Sequence, residues 1–289
     1  KQHLIFCSAT EEGIQAVDAF NSAYSESPHR SQSLYLAAIA RWNMYRYAEA
    51  ANAYRGYLAE FPDRSLANLA ITRLAQSLIR SDQAEAAIGA LDEFEDGPGA
   101  DQRELHRADA LALAGRVDEA TALLRSWLED HYANGNKRVL EVVEQQLARI
   151  ELIGQPLQDF QVPDAPGSDA ILTPQAYRGQ VLLVDFWASW CSPCMAQMPH
   201  LVDIYQHLHP KGFEILGVSL DTDANRMAAA LKRVDAGWPQ YFDGNRWENE
   251  LAVEFDVHRI PYTLLVDREG IVRAVDPPPA AVERMVTQL

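Results

Sequence analysis

Two cysteines separated by two residues, Cys191 and Cys194, are the side chains of this 289-residue sequence best suited to do chemistry. They follow a short apolar run, residues 181–187, and precede apolar residues at helical spacing. We therefore predict that they lie at a turn between a buried strand and a helix. Unpaired amides and the helix dipole at a helix start stabilise a thiolate, so Cys191 is the expected nucleophile.

The second cysteine suggests a redox function for the pair. Cys194 would lie one helical turn further in, where it can attack a mixed disulfide that Cys191 has formed. The pair would then pass on two electrons and close into a Cys191–Cys194 redox disulfide. A zinc half-site and a static disulfide are the alternatives, but zinc needs further ligands and the sequence has no second close cysteine pair. We expect neither a metal nor another cofactor.

The third cysteine and the histidines receive no chemical role. Cys7 falls on an inward position of the first predicted helix, so we expect a buried, inert thiol there. Among the eight histidines, His200, His207 and His209 lie on or after the helix that follows the cysteine pair, without a cluster of partner residues. We expect solvated, packing or capping roles for these three and for His258.

Length, composition and charge limit the kind of molecule that carries the pair. A chain of 289 residues fits two domains of about 100–200 residues each, and 48% apolar with 23% charged residues is typical of globular proteins. The net charge of −16 has the wrong sign for binding nucleic acid or an anionic lipid surface. No run of 18 residues lacks a charge, so no membrane span is expected in the residues given.

An internal repeat organises the first half of the chain. The similar tetrapeptides 47–50, 83–86 and 117–120 each end in alanine, and their final alanines are 36 and 34 residues apart. Three prolines, Pro28, Pro62 and Pro98, each follow by 12 residues one of the alanines Ala16, Ala50 and Ala86. Apolar residues between these marks recur at helical spacing, which predicts pairs of helices joined by turns.

This pattern resembles tetratricopeptide repeats, with about three and a half to four repeats in residues 1–153. On that spacing the first repeat begins before Lys1, so we expect the natural chain to start further upstream. Residues 137–153 continue a helical pattern that would cover the open end of the array. The resemblance implies a surface that docks a peptide or protein, although the helices could instead stiffen or dimerise the molecule.

The second half, residues 154–289, resembles the thioredoxin superfamily. The likeness rests on Val184-Asp185-Phe186-Trp187-Ala188 leading into Trp190-Cys191-Ser192-Pro193-Cys194, and residues 154–156 mark the end of the helical region. It implies an α/β fold with the cysteines at the carboxyl end of a strand. In that family an acid six residues before the first cysteine is buried and handles protons for the second. Asp185 takes this role by position, unless its carboxylate is merely satisfied by hydrogen bonds.

The same resemblance assigns three residues to substrate binding. Pro261 stands where the family has a cis-proline opposite the cysteines, and the backbone of Ile260 would then face an extended substrate chain. An ordinary trans proline at the start of a strand is the alternative. Tyr262 stands where threonine is commoner in the family. Trp190 would shield the thiolate and pack on partner proteins.

Within the superfamily, residues 154–289 look most like extracytoplasmic TlpA and ResA-type thiol:disulfide oxidoreductases. The resemblance implies a protein disulfide as substrate, an upstream thiol electron donor and a periplasmic or other extracytoplasmic location. The Ser192-Pro193 pair resembles that of reducing family members, so reduction is the expected direction. Many TlpA-like proteins have asparagine in place of Asp185, whereas classical thioredoxins have the acid, so a general reductant of broad substrate range also remains possible. Two rival functions remain: a repeat-based scaffold with a non-catalytic second domain, and a thiol peroxidase. Peroxidases of this type usually have threonine at the position of Ala188.

Overall fold

The computed structural model describes residues 10–62, 65–94, 100–133, 135–164 and 170–289. Cys7 and Pro98 lie outside these residues. The chain divides into two compact units, Lys1–Leu147 and Ala148–Leu289. The domain boundary expected after residue 153 stays a prediction, because one helix runs through this division.

Helices make up the described part of the first unit, and they alternate with short turns. They are α1 (Glu11–Ala23), α2 (Arg30–Asn43), α3 (Tyr47–Glu60), α4 (Ala67–Arg80), α5 (Ala84–Glu93), α6 (Ala100–Leu113), α7 (Val117–His131) and α8 (Lys137–Glu151), the last of which continues into the second unit. Small residues near the start of α3 and α7, Ala50 and Ala120, are fully buried, which lets neighbouring helices approach closely. In α5 the buried alanine is Ala87, one residue after the alanine of the sequence motif.

The turns inside three helix pairs have similar backbone conformations although their sequences differ. Tyr45, Asp82 and Gly115 stand just before α3, α5 and α7, and all three have a left-handed backbone, with φ of 60°, 58° and 80°. Glycine adopts this conformation without steric cost, whereas tyrosine and aspartate do not. The three turns therefore share one geometry although a single one carries glycine.

The helix expected over residues 137–153 is found as α8, and it packs on α6 through a polar contact. The Gln146 side-chain amide donates to the Leu105 carbonyl oxygen at 2.7 Å and to the Asp109 carboxylate at 2.8 Å. Val143, one helical turn earlier, is fully buried. This face of α8 therefore covers α6, as a capping helix must.

The second unit begins with a small antiparallel pair of strands, β1 (Val162–Pro163) and β2 (Ile171–Leu172). Its main sheet is mixed and contains β3 (Val181–Trp187), β4 (Phe213–Ser219), β5 (Gln240–Phe242), β6 (Tyr262–Val266) and β7 (Val272–Val275), in the order β5-β4-β3-β6-β7. Strands β3, β4 and β5 run parallel to one another, whereas β6 pairs antiparallel with β3, and β7 pairs antiparallel with β6. The predicted fold class, a helical repeat array followed by an α/β thioredoxin-like unit, is confirmed.

Helices contribute apolar residues to the same core as the sheet. They are α9 (Ser192–Leu208), α10 (Ala224–Val234), α11 (Glu250–Glu254) and α12 (Pro279–Gln288). Every residue of β3 is buried, because β3 is the central strand and has a paired neighbour on each side. The apolar run read from the sequence is thus the strand that leads directly to the cysteines.

A glycine beside this strand makes room for a buried hydrogen bond. Gly217 of β4 has no side chain, and the Gln240 side chain lies over it and accepts a hydrogen bond from the indole nitrogen of Trp187 at 3.0 Å. A Cβ added at Gly217 would overlap the Gln240 amide. The fully buried Trp187 therefore depends on glycine at the position of β4 that pairs with Gln240.

We expect Gly217→Ala to lower the free energy of unfolding by about 1–3 kcal/mol, because it would displace Gln240 and leave a buried indole N–H without its acceptor. Urea denaturation followed by tryptophan fluorescence measures the loss. Gly237→Ala is the matched control, since nothing lies within 4 Å of an added Cβ there and no left-handed backbone is required. Equal stability of the two variants would contradict this account.

Candidate active site

The cysteine pair lies where β3 passes into α9. Cys191 is the N-cap residue of α9, Cys194 lies in its first turn, and the two form a disulfide with their Cα atoms 5.3 Å apart. The Cys194 amide donates to the Cys191 sulfur at 3.2 Å. Pro193 is accommodated in the first turn of the helix, where its missing N–H is not needed. Amides at the helix start thus point toward the sulfur, which is the arrangement that stabilises a thiolate.

A buried carboxylate that the sequence reading did not single out holds the loop before Cys191. Asp221, just after β4, accepts hydrogen bonds from the Ser189 amide at 2.9 Å and the Ser189 hydroxyl at 2.7 Å. The Ser219 hydroxyl donates to the same carboxylate at 3.1 Å. The available signal in the sequence was an acid that follows a mostly apolar run, residues 213–220. Its contacts fix the backbone two residues before the nucleophile.

Asp185 lies in the middle of β3 and is 3% exposed. It stands opposite Gly217 on β4 and Thr263 on β6. Burial, and to a smaller extent the negative charge of Asp276, raise the pKa of Asp185 to about 7. A carboxyl group with such a pKa exchanges protons near neutral pH.

Asp276, which sequence reasoning also missed, follows β7 with a left-handed φ of 51°. Its carboxylate accepts a hydrogen bond from the Thr263 amide at 2.9 Å, and its own amide donates to the Thr263 carbonyl oxygen at 2.8 Å. Arg149 of α8 donates to this carboxylate at 2.9 Å, and Arg259 donates to the same oxygen. No pattern in the sequence links these positions, because 127 residues separate Arg149 from Asp276.

The segment before β6 has the expected backbone. The Ile260–Pro261 peptide bond is cis. Since Tyr262 pairs with Phe186, continuing the register places Pro261 beside Trp187, at the edge of the sheet from which the cysteine loop leaves. The ring of Tyr262 is buried against Phe186, with centroids 5.7 Å apart, and burial raises the pKa of its phenol. Tyrosine at this position therefore contributes to the core.

An exposed aromatic pair adjoins the nucleophile. Trp190 is 44% exposed and Trp247 is 38% exposed, and their rings meet edge to face with centroids 6.1 Å apart. The guanidinium of Arg246 lies 5.1 Å from the centre of the Trp190 ring, a cation–π distance. Trp190 was predicted from the sequence, whereas Trp247 and Arg246 reach it from a separate loop.

The helical unit has a polar groove on α4 and α6, with a volume of about 330 Å³. Its lining residues are Leu69, Thr72, Arg73, Gln76, Leu105 and His106. Arg73 donates to the Gln76 side chain at 3.1 Å, and the Gln76 amide nitrogen lies 3.1 Å from the His106 ring. Burial lowers the pKa of His106, which favours the neutral imidazole.

Among the described residues, no group of three or more histidine, cysteine, aspartate or glutamate side chains could hold a metal ion. His200, His207 and His209 each have a ring nitrogen within 3.1 Å of a backbone carbonyl oxygen. The described helices also contain none long and apolar enough to cross a bilayer.

Two curated relatives are similar to the second unit. ResA, a thiol-disulfide oxidoreductase of Geobacillus thermodenitrificans, is 28% identical over 123 residues, which are 43% of this chain and 68% of the relative. DsbE, a thiol:disulfide interchange protein of Allochromatium vinosum, is 30% identical over 123 residues, 42% of this chain and 65% of the relative. A solved thiol-disulfide oxidoreductase from Bacteroides fragilis aligns at 27% identity with a TM-score of 0.43, covering 46% of this chain and 98% of its own.

Two family models match successive parts of the chain. The AhpC/TSA family model matches residues 153–275, which contain the cysteine pair, Asp185 and Pro261. The tetratricopeptide repeat-like domain model matches residues 7–152, half of the chain. The protein therefore belongs to the tetratricopeptide repeat-like family, and its second unit, which has a thioredoxin-like fold, is matched by the AhpC/TSA family model.

Proposed function

We propose that this protein is a thiol:disulfide oxidoreductase that reduces disulfide bonds in partner proteins. The observation that carries the proposal is the Cys191–Cys194 disulfide at the start of α9, at the end of the strand that holds the buried Asp185. The two curated relatives are themselves named for thiol–disulfide chemistry. Such exchange runs on sulfur atoms and protons, and the residues present supply both.

Reduction of a substrate begins with the Cys191 thiolate, which attacks one sulfur of the substrate disulfide. A bond forms between that sulfur and Cys191, and the other substrate sulfur leaves as a thiolate that takes up a proton. Cys194 then loses its proton and attacks the Cys191 sulfur, which releases the first substrate sulfur. Two electrons have moved to the substrate, and the product is the Cys191–Cys194 disulfide. An upstream thiol donor reduces it again by exchange in the opposite direction.

Asp185 is the proposed acceptor of the Cys194 proton. With a pKa raised to about 7 by burial, its carboxyl group is partly ionised at neutral pH and can take up or release a proton there. The carboxylate is also the one charged group of β3, the strand that leads into the cysteine loop. Proton transfer to Asp185 would generate the second thiolate at the moment when it is needed.

The substrate chain is proposed to bind along the exposed face beside Cys191. Ile260 and Pro261 would present backbone atoms to an extended segment, as the likeness to thioredoxins implies. Trp190 and its neighbour Trp247 offer apolar area next to the nucleophile, and exposed tryptophan is typical of residues that dominate binding energy. This arrangement favours a disulfide in a polypeptide over a small-molecule disulfide as the natural substrate.

The helical array is proposed to dock the same partner protein. The groove around Arg73 lies on two helices of the array, α4 and α6, and stacked helical repeats characteristically present concave binding surfaces. A docked partner would have a raised effective concentration at Cys191. Because disulfide-bonded proteins accumulate in oxidising compartments, we place this activity in the periplasm or another extracytoplasmic space.

The reduction potential of the cysteine pair tests the redox function and its direction. We expect about −270 to −220 mV, the range of reducing thioredoxins and glutaredoxins, from equilibration in defined thiol–disulfide buffers with Cys7 replaced by serine. Cys191→Ser should abolish reduction of insulin disulfides, and Cys194→Ser should accumulate mixed disulfides. A potential near about −120 mV would contradict the reducing direction. A pair that does not cycle would favour the scaffold, and rapid peroxide consumption by Cys191 would favour the peroxidase.

The buried acid predicts a pH-dependent stability. The pKa of Asp185 is raised from 3.8 in the unfolded chain to about 7 in the folded protein. Between these pH values the folded state keeps a proton that the unfolded chain releases, so the free energy of unfolding falls as pH rises through this window. Asp185→Asn removes this fall, because asparagine does not titrate. The variant should therefore gain about 3 kcal/mol relative to the wild type between pH 5 and pH 8, measured by urea unfolding of the oxidised proteins.

The matched control for this measurement is Asp203→Asn, which changes an exposed acid on α9 of the same unit. Its stability should follow the wild type at every pH. Parallel curves for Asp185→Asn and the wild type would show that Asp185 does not carry the raised pKa.

The docking role of the array is tested in a Cys194→Ala background, which keeps mixed disulfides from resolving. We expect Arg73→Glu to reduce the yield of trapped protein adducts several-fold, because it reverses the charge in the groove. The adduct with oxidised glutathione should not change. Arg55→Glu, which reverses an exposed charge on α3 outside the groove, is the matched control. Equal trapping by both variants would count against docking through this groove.

A further inference from the structure

We propose that Asp276 and Arg149 are positioning residues for the redox reaction, which together fix strand β6 beside Asp185 and set the net charge that Asp185 faces. The proposal rests on the function proposed above for Asp185. Neither residue lies in the segment matched to the AhpC/TSA family, which covers residues 153–275.

The backbone geometry places Asp276 next to the active-site acid. The Asp276 amide donates to the Thr263 carbonyl oxygen at 2.8 Å, and the Asp276 carboxylate accepts a hydrogen bond from the Thr263 amide at 2.9 Å. Thr263 is the residue of β6 directly opposite Asp185. Neighbouring strands lie about 4.8 Å apart, so the two carboxylates are held in each other's electrostatic range. The coupling appears in the pKa of Asp185, which Asp276 raises.

Two arginines compensate the charge of Asp276 to different degrees. The Arg149 side chain is 15% exposed and that of Arg259 is 53% exposed, while the Asp276 side chain is 12% exposed. Solvent screens the Arg259 contact more strongly, because more of that side chain is in water. Arg149 is therefore the cation that matters most for the charge of Asp276, although it lies on the last turn of α8.

The other groups around Asp185, Asp276 and Arg149 carry little charge. Asp185 lies between Gly217 on β4 and Thr263 on β6, and both of these residues are neutral. Tyr262 is buried, and its phenol stays protonated because burial raises its pKa. Asp256, the remaining acid that acts on Tyr262, has a side chain that is 73% exposed. Cys194 of α9 is the group whose proton is to be transferred.

The consequence for the reaction follows from these charges. When Asp185 is ionised, its carboxylate faces that of Asp276, and the repulsion is limited by the cation on Arg149. Without Arg149 the repulsion increases, so Asp185 stays protonated to higher pH and cannot accept the proton of Cys194. Without the charge of Asp276 the ionised form becomes easier to reach.

The direct test is an infrared titration of the buried carboxylic acid of Asp185 in the oxidised full-length protein, identified as the carboxylic acid band that Asp185→Asn removes. We expect Arg149→Gln to move its midpoint up by about half a pH unit or more, and Asp276→Asn to move it down by a similar amount. Arg149→Lys keeps the charge and should titrate near the wild type. In the double variant Arg149→Gln/Asp276→Asn, the effect of losing Arg149 should largely vanish, because its partner is neutral.

The control is Arg273→Gln, which removes an arginine from another aspartate of the same sheet, Asp267, paired at 2.5 Å. This variant should leave the midpoint unchanged. A purely structural role for Arg149 and Asp276 would lower stability in both variants without shifting the midpoint in opposite directions, and that result would overturn the inference. Where Arg149→Gln or Asp276→Asn does not fold, Arg149→Met or Asp276→Ser removes the same charge, and the midpoint is expected to shift in the same direction.

The pH profile of insulin reduction separates this inference from the proposed function. If Asp185→Asn leaves the profile unchanged, Asp185 is not the proton acceptor and the proposed role of that residue fails. The infrared midpoints still report whether Arg149 and Asp276 act on Asp185. If Asp185→Asn removes the inflection but the Arg149 and Asp276 variants leave it in place, the further inference alone fails.

Discussion

The redox unit depends on a carboxylic acid placed in the middle of a strand that is buried along its whole length. All seven residues of β3 are buried, and Asp185 is the one with an ionisable side chain. Dehydration disfavours the charged form of such a group, so its protonation is decided by its neighbours rather than by water. A carboxyl group whose pKa is raised to about 7 is thus a result of fold topology.

Two further acids hold the segments that surround this strand. Asp221 follows β4 and binds both the amide and the hydroxyl of Ser189, while Asp276 follows β7 and binds the amide of Thr263. Each carboxylate accepts a hydrogen bond from a backbone amide, which is the way buried polar groups are normally satisfied. The cysteine loop and β6 are each fixed by one of these acids.

In the helical half, the packing depends on small buried residues that let neighbouring helices approach closely. Its turns take a left-handed backbone at Tyr45 and Asp82 as well as at Gly115, so the repeat is more regular in backbone than in sequence. In α5 the fully buried alanine is Ala87, one residue after the alanine that ends the tetrapeptide 83–86. Packing between helices, rather than the local tetrapeptide, therefore determines which alanine is buried.

The sequence alone determined the order of the two folds, the strand-to-helix position of Cys191 and Cys194, and the candidates Asp185 and Pro261. The order of the folds and the position of the cysteines follow from local spacing and periodicity, whereas Asp185 and Pro261 follow from the resemblance of short motifs to the thioredoxin superfamily. The tertiary structure decided which charges surround Asp185, since Arg149, Arg259 and Asp276 meet there from distant parts of the chain. It also brought Trp247 to Trp190. Electrostatic and packing contacts act through space, and the separation of residues along the chain does not encode them.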